Sequence, residues 1–140
     1  MQPLNLSSLV PTLLALQFVV FGWRITREVA LGDQERRTWL LLSDVLNLIS
    51  MLAVVAFCII LPLQTSTFSL ASRVMLGAGY VLIAFTPLII AGHYRLFSRE
   101  GRTIYTRAGQ DYPRITGQEA VLAVVAIVCT LGASYVIAVG

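Results

Sequence analysis

The chain contains no lysine, one histidine and two cysteines, and 12% of its 140 residues are charged. Globular chains average about 25% charged residues, so a water-facing surface of ordinary polarity cannot be assembled from this composition. Cys58 and Cys129 lie inside apolar runs, with no CxxC spacing and no Cys/His cluster. A disulfide framework and a zinc site are therefore not indicated. A single histidine excludes bis-histidine haem ligation within the chain, and no cofactor is indicated. The glutamate that small multidrug exporters carry in their first span is absent. So is the CxxC of membrane disulfide oxidases and quinone reductases.

What is present is apolar and segmented. Hydrophobic residues make up 57% of the chain. Charge-free runs cover 1–23, 45–72, 74–94 and 120–140. About 20 mainly apolar residues suffice to span a bilayer as a helix. The pattern predicts an all-α integral membrane protein: one domain over 1–140, a four-transmembrane-helix bundle with helices at about 4–23, 39–63, 70–95 and 118–139. The first run opens Met1-Gln2-Pro3-Leu4-Asn5 without a positive side chain and ends Phe21-Gly22-Trp23-Arg24. That order reads as a retained span, not a cleaved signal. Thr116-Gly117-Gln118-Glu119 matches a helix capping box at the start of the fourth helix. Residues 102–107 alternate weakly enough to allow a small hairpin.

The arginines set an orientation. Arg24, Arg27, Arg36 and Arg37 form one cluster; Arg95, Arg99, Arg102, Arg107 and Arg114 form another; only Arg73 stands apart. Short cytoplasmic loops collect positive charge. Loops 24–38 and 96–117 are thus expected in the cytoplasm, with both termini outside, in a bacterial-type inner or plasma membrane. Basic residues flanking apolar spans do not resemble a nucleic-acid face. Arg95, Arg99 and Arg102 share a helical stripe and would attract anionic lipids of the bilayer. Trp23 and Trp39 fall at the inner boundary, as interfacial anchors do.

Three places interrupt the apolar spans. Asp44, Asn47 and Ser50 recur at three-residue intervals on one stripe of the second helix. Intramembrane ionisable residues are functional candidates by default. His93 lies near the inner end of the third helix, and antiparallel pairing of helices 2 and 3 places it roughly opposite Asp44. The residue order leaves open whether the two pair or His93 is an interfacial histidine without a role, and no second acid in a span accompanies them. Arg73 begins the third helix on the outer side, where snorkelling to headgroups accounts for it. On the fourth helix, Ala126, Thr130, Ser134 and Ala138 form a small-residue ridge of the kind that lets helix backbones approach closely.

No nucleophile–base pair, paired acids or metal cluster emerges, so catalysis is not the expected role. The expected function is that of an accessory or assembly subunit acting through helix–helix contacts with a homo- or hetero-oligomeric membrane partner. The alternative is an oligomeric small transporter or channel component with a polar path near Asp44, Asn47, Ser50 and His93.

Overall fold

The computed structural model describes residues 6–35, 40–94, 96–97 and 115–139. Four helices long and apolar enough to cross a membrane occupy these segments, and there is no strand among the described residues. We number them α1 (Leu6–Glu35), α2 (Leu42–Thr65), α3 (Leu70–His93) and α4 (Gly117–Val139). Arg95, Arg99, Arg102, Trp39 and the possible hairpin at 102–107 lie outside the described residues.

Each helix buries a narrow stripe at helical spacing. In α1 the stripe is Val10, Leu13, Gln17 and Arg24; in α2 it runs through Asp44, Asn47, Met51, Val54 and Cys58. In α3 it is Ser72, Leu76, Gly79, Thr86, Ile89 and His93, and in α4 it is Glu119, Ala123 and Ala126. The steps of three, four and seven keep each set on one face of its helix. α2 and α3 form the centre, α1 lies against both, and α4 packs mainly on α3.

The first helix does not stop where its charge-free run stops. The expected end at residue 23 is passed, and α1 continues to Glu35. The cause is local: Arg24 and Glu28 are one turn apart and bonded at 2.8 Å, so the first charges extend the helix. Pro11 sits inside α1 without ending it.

α2 changes pitch near its end. Ala56–Ile60 forms a wider π-helical turn, and Leu61–Thr65 then resumes the α-helix. Pro62 explains the change, because it has no N–H and its ring crowds the carbonyl one turn earlier. The Leu61 N–H reaches back to the Ala56 carbonyl. That shift, with proline next in line, leaves the Phe57 carbonyl without its usual donor. Ser72 of α3 supplies one, its hydroxyl donating to Phe57 O at 2.6 Å. The Cys58 thiol donates in the opposite direction, to Ser72 O at 3.3 Å. Ser69 caps α3 by accepting from the Ser72 N–H at 3.2 Å. In α3, Pro87 frees the Ile83 carbonyl, yet the Thr86 hydroxyl donates to Leu82 O instead, at 3.0 Å.

Apolar contacts gather in two places. Val10, Leu13, Val54, Cys58 and Leu76 join α1, α2 and α3 in the half of the bundle near the 66–69 turn. Ile89, Ala123 and Ala126 join α3 to α4 in the opposite half. There the backbones come close: a Cβ on Gly92 would stand 3.1 Å from the Gln118 carbonyl carbon and from the Glu119 nitrogen. A side chain there would push the two backbones apart by a few tenths of an ångström.

Candidate functional site

Opposite the 66–69 turn, one end of the bundle collects the buried charge. α1 and α3 run toward this end, while α2 and α4 begin there, so two helix N-termini and one C-terminus converge. Each N-terminus carries an acid in its first turn, Asp44 on α2 and Glu119 on α4. The positive end of the helix dipole favours a carboxylate there, and α3 ends on His93, where a cation is favoured.

Asp44 reaches back to cap its own helix, accepting from the Leu41 N–H at 3.0 Å. It also accepts twice from Arg24, from Nε at 3.3 Å and from Nη2 at 3.4 Å. Arg24 Nη2 donates in addition to Glu28 Oε1 at 2.8 Å, and Nη1 to the Tyr94 hydroxyl at 3.5 Å. Arg24 and Asp44 are 1% and 2% exposed, so this is a buried ion pair. Arg27 lies over the Tyr94 ring, 4.3 Å from its centroid.

The second pair is His93 and Glu119, with Nδ1 2.8 Å from Oε2. Glu119 is wholly buried. Its Oε1 accepts from the Leu42 N–H at 3.1 Å, tying the start of α2 to the start of α4. The capping box expected at Thr116 forms: Thr116 Oγ1 accepts from the Glu119 N–H at 3.1 Å, and Glu119 Oε2 accepts from the Thr116 N–H at 3.3 Å. The Thr116 hydroxyl donates across to Gly92 O at 2.8 Å, where Gly92 faces the α4 backbone.

Asp44 and His93, whose pairing the residue order left open, do not bond to each other: Arg24 meets Asp44, and Glu119 meets His93. The reason is that α4 also starts at this end and inserts Glu119 beside His93, while the continued α1 carries Arg24 to Asp44. Nor do the two stand without companion acids, since Glu28 and Glu119 join them. Arg24, expected in the cytoplasmic loop 24–38, is the largest fully buried side chain among the described residues.

Deeper in, the stripe on α2 continues as read. Asn47 Nδ2 donates to the Gln17 carbonyl at 3.2 Å, and Gln17 Nε2 donates to Ser50 Oγ at 2.9 Å. Gln17 Oε1, Asn47 Oδ1 and Ser43 Oγ are buried without a hydrogen-bond partner. The structure thus brings Asp44, Asn47 and Ser50 into the interior with α1, and places His93 in a neighbouring cluster. Arg73 is exposed at the opposite end and forms no ion pair with a described residue. The ridge on α4 is split: Ala126 is core, Thr130 and Ser134 are half-buried, and Ala138 is exposed. Among the described residues, no three His, Cys, Asp or Glu side chains are placed to hold a metal ion.

The residues missed in sequence were Gln17, Arg24, Glu28 and Glu119. Signals for them existed. Gln17 and Arg24 are seven apart on the stripe that holds Leu13, Arg24 and Glu28 have ion-pair spacing, and Glu119 belonged to a capping box read only as local structure.

These features define a class: a four-helix bundle of membrane-spanning dimensions, whose apolar helices suggest an integral membrane protein, closed at one end by the buried Arg24–Asp44 ion pair and the His93–Glu119 hydrogen bond. No protein-family model, curated protein or solved structure matches the chain.

Proposed function

We propose that this protein is an accessory or assembly subunit of a larger membrane complex and acts through helix contacts. One observation carries the reading. The buried charges of the bundle are taken up in pairs inside the chain, while α4 keeps a broad apolar face with no partner. Only 11% of the most apolar window of α4 is buried, against 22–28% for the other three helices. Val121, Val124, Val128, Leu131 and Val136 are among its exposed side chains. Because Ala126 packs inside the chain, a partner would meet this branched apolar face more than the small-residue ridge.

Purification of the full chain from its native membrane in mild detergent tests the proposal. Cys129 lies exposed on α4 and serves as a cross-linking handle, whereas Cys58 is buried. A stoichiometric second chain, cross-linked through Cys129, is expected. A monomer that co-purifies with nothing and cross-links to nothing would overturn the reading.

A second reading has one observation of its own. The three unpartnered oxygens of Gln17, Asn47 and Ser43 line the interior as a small transporter's polar path would. Against a continuous path stand Leu13 and Val54, both with no exposed surface, across the other half of the bundle. Accumulation of a solute in vesicles holding the purified chain alone would favour this reading.

For sidedness, the arginine bias supports the charged end in the cytoplasm and both termini outside, in a bacterial-type inner or plasma membrane. Arg24 leaves that count, as it is neutralised within the bundle, and the remaining arginines keep the bias. Cysteines introduced into 96–117 should resist impermeant labelling of intact cells; ready labelling would reverse the orientation.

A further inference from the structure

We propose that the groove between α1 and the start of α2 binds the ammonium headgroup of an aminophospholipid. The groove is a cavity of about 340 Å³. Its polar floor is Arg24, Glu28 and Asp44, and its walls are Phe21, Ile25, Val29 and Leu40. A volume of this order accommodates a headgroup, and an apolar wall above a few convergent polar groups is the ordinary form of a small-ligand site.

Charge decides which headgroup. The floor holds two carboxylates and one guanidinium, so it carries one excess negative charge when all three are ionised. The guanidinium is committed: its three nitrogens donate to Asp44, Glu28 and Tyr94, and the side chain is 1% exposed. A phosphate entering the groove would find no open cation on the floor. Glu28 is the accessible charge, its side chain 18% exposed. A primary ammonium offers N–H donors and the complementary sign, and charge-assisted hydrogen bonds of this kind are the stronger ones.

The walls argue for a lipid over a soluble amine. Ile25, Val29 and Leu40 are exposed apolar residues on the outside of the bundle, where acyl chains lie if the helices span the membrane. Arg27, the nearest described arginine in sequence, is turned to Tyr94 and does not line the groove. The inference rests on the membrane placement of the helices and not on the accessory-subunit reading. A chain that purifies alone would still hold the lipid.

Native mass spectrometry of the full chain in detergent, with phosphatidylethanolamine, phosphatidylcholine and phosphatidylglycerol of identical acyl chains at equal concentration, tests it. Phosphatidylethanolamine should be retained over phosphatidylcholine by about three- to tenfold, the range for a charge-assisted bond partly screened by water. Retention should fall stepwise as the amine is methylated once, twice and three times. E28Q should bring phosphatidylethanolamine down to the phosphatidylcholine level and leave phosphatidylglycerol unchanged. The methylation series uses the unaltered chain, so it decides even if E28Q fails to fold. Equal retention of the amine and choline lipids overturns the proposal, as does preferential retention of phosphatidylglycerol. Binding of dodecylamine without any of phosphatidylethanolamine overturns the lipid assignment.

Discussion

The two halves of this bundle are held together by different physics. Near the 66–69 turn, α1, α2 and α3 meet through Val10, Leu13, Val54, Cys58 and Leu76. Hydrogen bonds between helices there run from a side chain to a carbonyl, as Ser72 to Phe57 and Tyr80 to Leu9. At the other end the helices meet through the Arg24–Asp44 ion pair and the His93–Glu119 hydrogen bond. In lipid, apolar contact gives no hydrophobic drive between helices, so packing and hydrogen bonds must select the arrangement. Apolar surfaces tolerate many registers, whereas a buried ion pair tolerates few. The charged end is therefore the part of the molecule that specifies how four helices are placed, and the apolar half fills in behind it.

This contrast can be broken at each end in turn, beginning with the largest effect. Arg24→Leu leaves Asp44 buried without its counter-ion and should cost about 3–5 kcal/mol, the usual result of removing one member of a buried pair. Thermal or denaturant unfolding in detergent would measure it. The double variant with Asp44→Leu should recover much of the loss. A single variant as stable as the parent would show that the charged end does not specify the bundle.

The glycines of α3 give a paired test of intermediate size. Gly92→Ala drives a Cβ against the α4 backbone at Gln118 and Glu119, and overpacking of this kind costs about 1–3 kcal/mol. Gly77→Ala at the other end meets only the tip of the Ile137 side chain, which can turn aside. Its cost in the same unfolding assay should be clearly smaller. Equal costs would remove the distinction between a constrained and a forgiving half.

The smallest expected effect tests the apolar half itself. Ser72→Ala removes the donor to the Phe57 carbonyl and should cost about 0.5–1.5 kcal/mol. The π-helical turn at Ala56–Ile60 should loosen, seen as faster backbone hydrogen exchange confined to that segment. No change in exchange would mean that Pro62 alone sets the turn.

Much of the fold was legible in the residue order. Four helices long and apolar enough to cross a membrane follow from charge-free runs, because only a continuous helix satisfies its backbone in lipid. Thr116 announced a helix start through short-range bonds that need no tertiary partner. The inward stripe of Asp44, Asn47 and Ser50 was also legible, since periodicity reports a face. Which residue would meet that face was not. Counting antiparallel helices brought His93 near Asp44 in axial height, but height says nothing of which neighbour stands between. Arg24 was hidden for a related reason: an arginine just past an apolar run has the same local signature whether it snorkels to water or turns inward.

The sequence by itself determined the number of long apolar helices, the polar stripe and the clustering of arginine, all of which depend on composition and on spacing within one helix. Tertiary structure alone decided that Arg24 belongs to Asp44 and His93 to Glu119, and that Gly92 faces the α4 backbone. Those outcomes depend on how helices are rotated and placed about one another, and residues twenty or more positions apart in the chain meet only when that placement is complete.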